Sequence, residues 1–78
     1  MKVFNLTDVA TPDLELAGHV GKTLTIWRHI IPPGGSVEVG DSEKVRQEVA
    51  HYISLGMVSV DKLPVEYVVR REKQQRKK

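Results

Sequence analysis

The residues most able to do chemistry cluster at Ala17-Gly18-His19-Val20-Gly21-Lys22-Thr23. A Gly-Lys-Thr ending is how a phosphate-binding loop finishes, with backbone N–H groups and the lysine ammonium facing the phosphates. That loop also needs an earlier glycine, with four residues between it and the second, and a helix directly after it. Leu16 stands where the first glycine belongs, and the segment that follows, TLTIW, reads as extended chain. Gly18-His19-Val20-Gly21 equally fits the Gly-x-x-Gly clamp by which some RNA-binding domains grip a backbone, with Lys22 placed for a phosphate. That clamp follows a helix, whereas DLELA (13–17) alternates like a strand. An ordinary glycine turn between strands accounts for the same residues.

The other reactive side chains form no constellation. His19, His29 and His51 fall in three different segments, and no pair has the i, i+4 spacing that puts two imidazoles on one helix face. The absence of cysteine excludes disulfides and thiolate metal sites. The ten carboxylates are scattered, and no Ser/His/Asp arrangement stands out from spacing. A chain of 78 residues has little interior for a ligand-sized pocket. The expectation is a protein with no catalytic, cofactor-binding or metal-binding residues, hence not an enzyme.

Length permits one domain, and a domain this small buries only about 60–65% of the surface its unfolded chain exposes. With no disulfide or thiolate metal site to compensate, assembly with another molecule gains weight. No apolar run reaches the roughly 18–20 residues of a membrane helix. The N-terminus, MKVFNLTDVATPD, turns polar too early for a signal-peptide core. No membrane association is expected.

The net charge of +2 conceals an asymmetry. Arg70, Arg71, Lys73, Arg76, Lys77 and Lys78 face a single acid within residues 70–78, so this arm carries +5. The body, residues 1–69, holds six cations and nine acids, or −3. Such a distribution points to a basic C-terminal arm that seeks an acidic surface, on a protein or on nucleic acid. Those six cations are the candidate partner-binding residues. Trp27 and Tyr52 read as core or interface anchors, because a base-stacking sheet interleaves several aromatics with cations and here only Arg28 adjoins one.

The elements that must position these residues can be taken in order. Lys2–Leu6 reads as a short strand packing Val3 and Phe4, and residues 5–13 as a polar connection. DLELA reads as a half-buried strand with Leu14 and Leu16 inward. Thr23–Ile31, rich in β-branched residues, is assigned to a strand, with a helix as the alternative. In Pro32-Pro33-Gly34-Gly35, Pro33 has the φ wanted at the second position of a type II turn and Gly34 the positive φ wanted at the third. SVEV (36–39) resumes as a strand. Asp41–Leu55 is a helix capped by Asp41 or Ser42, with an apolar stripe at Val45, Val49, Tyr52 and Ile53 and a stop at Gly56. MVSV (57–60) is a strand. VEYVV (65–69) is either a last strand or the start of a terminal helix, and RREKQQRKK (70–78) is disordered or a frayed helix. The fold class that follows is α+β: four to six short strands in a mostly antiparallel sheet, sandwich or partial barrel, with one packed helix over about 41–55.

The opening VFNLTD, the segment IPPGGSVEV and the closing HYISLGMVSV together resemble a class of small virion accessory proteins of tailed bacteriophages. The resemblance spans roughly residues 3–60 and rests mostly on turn and cap residues. It implies capsid decoration (cement) or head–tail completion, in a virion assembled in the host cytoplasm. Its partners would be a major capsid, neck or tail protein in a multi-copy assembly. It carries over no catalytic residue. The rival expectation is a small nucleic-acid-binding regulator that uses the basic arm, with the 18–22 loop as a second contact.

Overall fold

The computed structural model describes residues 1–75. Its elements are β1 (Lys2–Asn5), α1 (Pro12–Ala17), β2 (Leu24–Ile26), β3 (His29–Ile31), β4 (Ser36–Glu38), α2 (Glu43–Ser54), β5 (Val58–Val60) and α3 (Val65–Gln75). The class is α+β as expected, with five strands in two antiparallel sheets and three helices where the sequence pointed to one.

Strand β1 is the centre of a β4-β1-β5 sheet. Val3 stands opposite Val37 on one side and Val60 on the other, and Phe4 opposite Ser36 and Ser59. Because side chains alternate along a strand, Val3 and Asn5 take one face while Phe4 and Leu6 take the other. On the first face Val3 and Val58 pack with Val45 and Val49 of α2, Leu24, Ile26 and Ile31 of the β2–β3 hairpin, Leu14 of α1, and Met57. On the second face Phe4, Leu6 and Val9 pack with Tyr67 of α3 and Leu63. A three-stranded sheet thus lies between α2 with the hairpin on one side and α3 on the other. Burying both faces lets so short a chain close a core.

Helix α2 forms as its sequence directs. The Ser42 side chain caps it by accepting from the Val45 N–H, leaving Asp41 to pair with the Arg46 guanidinium (Nη2 to Oδ2, 2.8 Å). That pairing lowers the carboxyl pKa of Asp41 and raises that of Arg46. Val45 and Val49 are buried and Tyr52 half-buried, whereas Ile53 is exposed, so the stripe is narrower than its spacing predicts.

Two assignments change and one left open is decided. DLELA is helical, not extended: Thr11 caps α1 through the Leu14 N–H, Pro12 fits the first turn, and Gly18 closes it at φ 71°. Over six residues the alternation of Leu14 and Leu16 suits either element, and cap chemistry decides. Only Leu14 is buried; Leu16 is 89% exposed. Thr23–Ile31 is extended but not one strand. It folds back at Trp27-Arg28, pairing Leu24 with Ile31, Thr25 with Ile30 and Ile26 with His29. The reversal buries Leu24, Ile26 and Ile31 and turns Ile30 outward. No glycine, proline or asparagine marks this turn, and Trp27 holds it at φ 58°. VEYVV takes its helical alternative, and α3 continues without a break through Arg70 to Gln75, so within the described residues the basic arm is helix and not disordered chain.

The Pro32–Gly35 turn has the expected form, with the Gly35 N–H on the Pro32 carbonyl (2.9 Å) and Gly34 at φ 77°. It joins strands of two different sheets and docks on β1, through Gly34 N–H to Asn5 O (3.0 Å) and Asn5 N–H to Gly35 O (2.9 Å). A Cβ on Gly34 would stand 2.8 Å from Asp8 Oδ2.

Asn5 and Thr7, expected in a polar connection, are fully buried and hold these pieces together. Asn5 Nδ2 donates to the carbonyls of Lys22 and Ile31, each at 2.8 Å, and Asn5 Oδ1 accepts from the Thr7 N–H at 3.0 Å. The Thr7 hydroxyl accepts from the Lys22 N–H and has Asn5 Oδ1 and the Lys22 carbonyl within reach of its single proton, at 2.7 and 2.9 Å. Removing one partner of a buried set leaves the others desolvated, at about 1–3 kcal/mol each. A chain of this size is stable by only about 4–12 kcal/mol. Asn5→Ala is therefore expected to lower the melting temperature by at least ~15 °C, and Ser36→Ala on the exposed strand β4 by no more than a few degrees, both measured by circular dichroism.

Candidate functional site

The glycine loop does not have the geometry of a phosphate-binding loop. The Gly21 N–H donates to the Thr7 carbonyl (2.7 Å) and the Lys22 N–H to the Thr7 hydroxyl (3.1 Å), so both amides that would face a phosphate are turned inward. The loop leads into strand β2, where a phosphate loop needs a helix N-terminus. A helix, α1, does precede it, as the Gly-x-x-Gly clamp requires, but no helix follows. His19 lies in this loop, His29 in β3 and His51 in α2, and no group of three or more His, Asp or Glu side chains among the described residues is placed to hold a metal ion.

The basic arm divides into inner and outer residues once it is helical. Pro64 precedes α3, its carbonyl accepting from the Val68 N–H (3.1 Å), and Lys73 lies in the last turn, whose carbonyls favour a cation. Tyr67, Arg71 and Gln74, at i, i+4 and i+7, form the inner stripe. The Tyr67 hydroxyl donates to Asp8 Oδ1 (2.6 Å), Arg71 Nε stands 3.5 Å from Asp8 Oδ2, and Gln74 Nε2 donates to the Ala10 carbonyl (3.3 Å). Arg71 is thus half-buried and engaged with Asp8 in an ion pair without a well-aligned hydrogen bond from Nε. It holds the helix to the 5–10 segment. Arg70 and Lys73 are exposed and form no salt bridge among the described residues. Arg76, Lys77 and Lys78 lie outside the described residues.

Beside Arg70 and Lys73, the outer side of α3 presents Val65, 78% exposed, with Val69 and Val68. Val65, Val69, Arg70, Lys73 and Glu66 line a shallow open groove. An apolar pair beside two exposed cations suits a partner surface that is apolar with an acidic border. Next to it runs the free edge of β5. The ladder to β1 uses Met57, Ser59 and Asp61, with Leu6 N–H to Met57 O and Asp61 N–H to Lys2 O both at 2.7 Å. The alternate residues, Val58 and Val60, therefore turn their backbone N–H and C=O groups away from the sheet. Ile53, Leu63 and Pro64 flank that edge in a groove of about 460 Å³.

Of the six cations offered by the sequence, Arg70 and Lys73 lie exposed, whereas Arg71 belongs to a clamp at Asp8 that sequence reasoning missed. Its signal is the spacing of Tyr67, Arg71 and Gln74, legible only once helix is chosen over strand. Comparison with known protein families, with curated proteins and with solved structures found no match.

The clamp has a pH signature. Burial, the hydrogen bond to Asp8 and the Asp8 charge push the Tyr67 phenol up to about 12. In the unfolded chain the same phenol titrates near 10. Below pH ~10 both states keep the proton and the clamp contributes in full. As pH rises from about 10 to 12 the unfolded state loses its proton first, so stability falls. Tyr67→Phe is expected to cost about 1 kcal/mol at pH 7 and to show a shallower loss between pH 10 and 12, measured by denaturant unfolding across pH.

Proposed function

We propose that this chain is a non-enzymatic binding module that docks on a larger protein assembly, in the manner the resemblance to small tailed-phage accessory proteins implies: decoration of a capsid or completion of a head–tail junction. The observation that carries the reading is the outer side of α3, where Val65 and Val69 remain exposed beside Arg70 and Lys73 although the same helix has a well-anchored inner stripe. The helix is fixed on the body, so its free side is presented in one orientation. The partner would be a virion protein offering an apolar patch with acidic neighbours, and the open edge of β5 supplies backbone groups for an added strand.

The reading also fits the charge asymmetry. The acidic body would be repelled by the acidic border that the arm is drawn to, which sets the orientation of docking. Mass spectrometry of purified particles is expected to find the chain in fixed stoichiometry to a major structural protein. Arg70→Glu/Lys73→Glu, a double change at exposed sites, is expected to leave the melting temperature within a few degrees and to reduce incorporation at least tenfold. Absence of the wild-type chain from particles, together with binding to duplex DNA that weakens steeply with salt, would replace this reading with the regulatory one.

A further inference from the structure

The β2–β3 hairpin tip holds a feature the docking surface does not use. Trp27, the only tryptophan of the chain, occupies the first position of a two-residue turn at φ 58°. A positive φ is strained for a residue with a bulky side chain, and glycine is the residue this position favours. The conformation is held from outside the hairpin: the Trp27 N–H donates to Glu48 Oε2 of α2 at 2.7 Å. The strain does not serve to bury the indole, which is 49% exposed. Two cations from different elements flank it, Arg28 Cζ at 5.7 Å and Lys44 Nζ at 5.2 Å from the ring centre. Both side chains are exposed, and Glu48 is the one anion bonded at the tip.

We propose that Trp27, Arg28 and Lys44 form a site for single-stranded nucleic acid, with an unstacked base on the indole and the two cations on the flanking phosphates. Magnitudes favour the exchange this requires. The two exposed cation–π contacts given up are individually weak, and the larger contact of a base stacked on the indole replaces them while both cations gain phosphates. The long stems of Arg28 and Lys44 let the charges move to phosphates as the base takes the ring face. The Glu48 carboxylate is engaged by the Trp27 N–H and outnumbered by the two cations. The hairpin and α2 cover the sheet face opposite α3, so this site is independent of the docking surface.

A lone tryptophan makes the test direct, because its fluorescence reports on this site and on no other. Titrating the full chain with a thymidylate oligomer of about ten nucleotides is expected to quench the fluorescence by more than half. Inorganic phosphate at matching charge concentration is expected to leave it unchanged. Arg28→Ala and Lys44→Ala are each expected to weaken binding several-fold and to lower the salt slope by about 0.7, as loss of one phosphate contact to a single strand does. Arg70→Glu/Lys73→Glu is expected to quench like the wild type, which separates this site from the arm. A mobility shift without quenching would assign binding to the arm and overturn the proposal. Quenching by polyglutamate but not by the oligomer would overturn it in favour of an acidic protein partner.

Discussion

The fold depends on one buried polar arrangement, the side chains of Asn5 and Thr7. Asn5 leaves the central strand with its amide pointed at two carbonyls, those of Lys22 and Ile31, that belong to different segments. Thr7 holds the same Lys22 residue through both its N–H and its C=O. The strand, the 18–22 loop, the end of the hairpin and the Pro32–Gly35 turn therefore meet at a point where backbone groups would otherwise be desolvated and unpaired. Burying polar groups is costly unless they are satisfied, and a satisfied network fixes one arrangement among many apolar alternatives. In a chain with so thin a core, this supplies the specificity that apolar packing alone does not.

That centre explains why the surface carries the functional weight. The amides of Gly21 and Lys22, which sequence pattern offered as phosphate ligands, are used up inside. Gly34 sits too close to Asp8 for any larger residue without displacement, and Asp8 in turn anchors α3 through Tyr67 and Arg71. One chain of contacts runs from the buried network to the helix that bears the exposed cations. What remains free lies outside it: the outer side of α3, the edge of β5 and the Trp27 turn.

Legibility in the sequence followed the strength of local signals. Helix α2 has a cap, a long apolar spacing and a glycine stop, so it can be read off directly; the Pro-Pro-Gly-Gly turn is equally explicit. Helix α1 has a good cap too, but over so short a span the alternation of Leu14 and Leu16 imitates a strand, and Leu16 stays in solvent. The turn at Trp27 carries no turn residue; a contact with Glu48, distant in sequence, holds it. The burial of Asn5 and Thr7 is invisible for the same reason, since their partners lie 15 to 26 residues away. The arm's cations were legible by composition, while the removal of Arg71 from the free set required knowing where Asp8 sits.

If the Asn5–Thr7 network is the constraint on which the fold rests, its members must open together and last. Native-state hydrogen exchange followed by NMR tests this most directly, at the amides of Thr7, Gly21, Lys22 and Gly34, beside that of Val3 in the central strand. The account predicts that all exchange only through global unfolding, with one common free energy. Exchange of the Gly21 and Lys22 amides through local opening, at a free energy well below that of Val3, would contradict it.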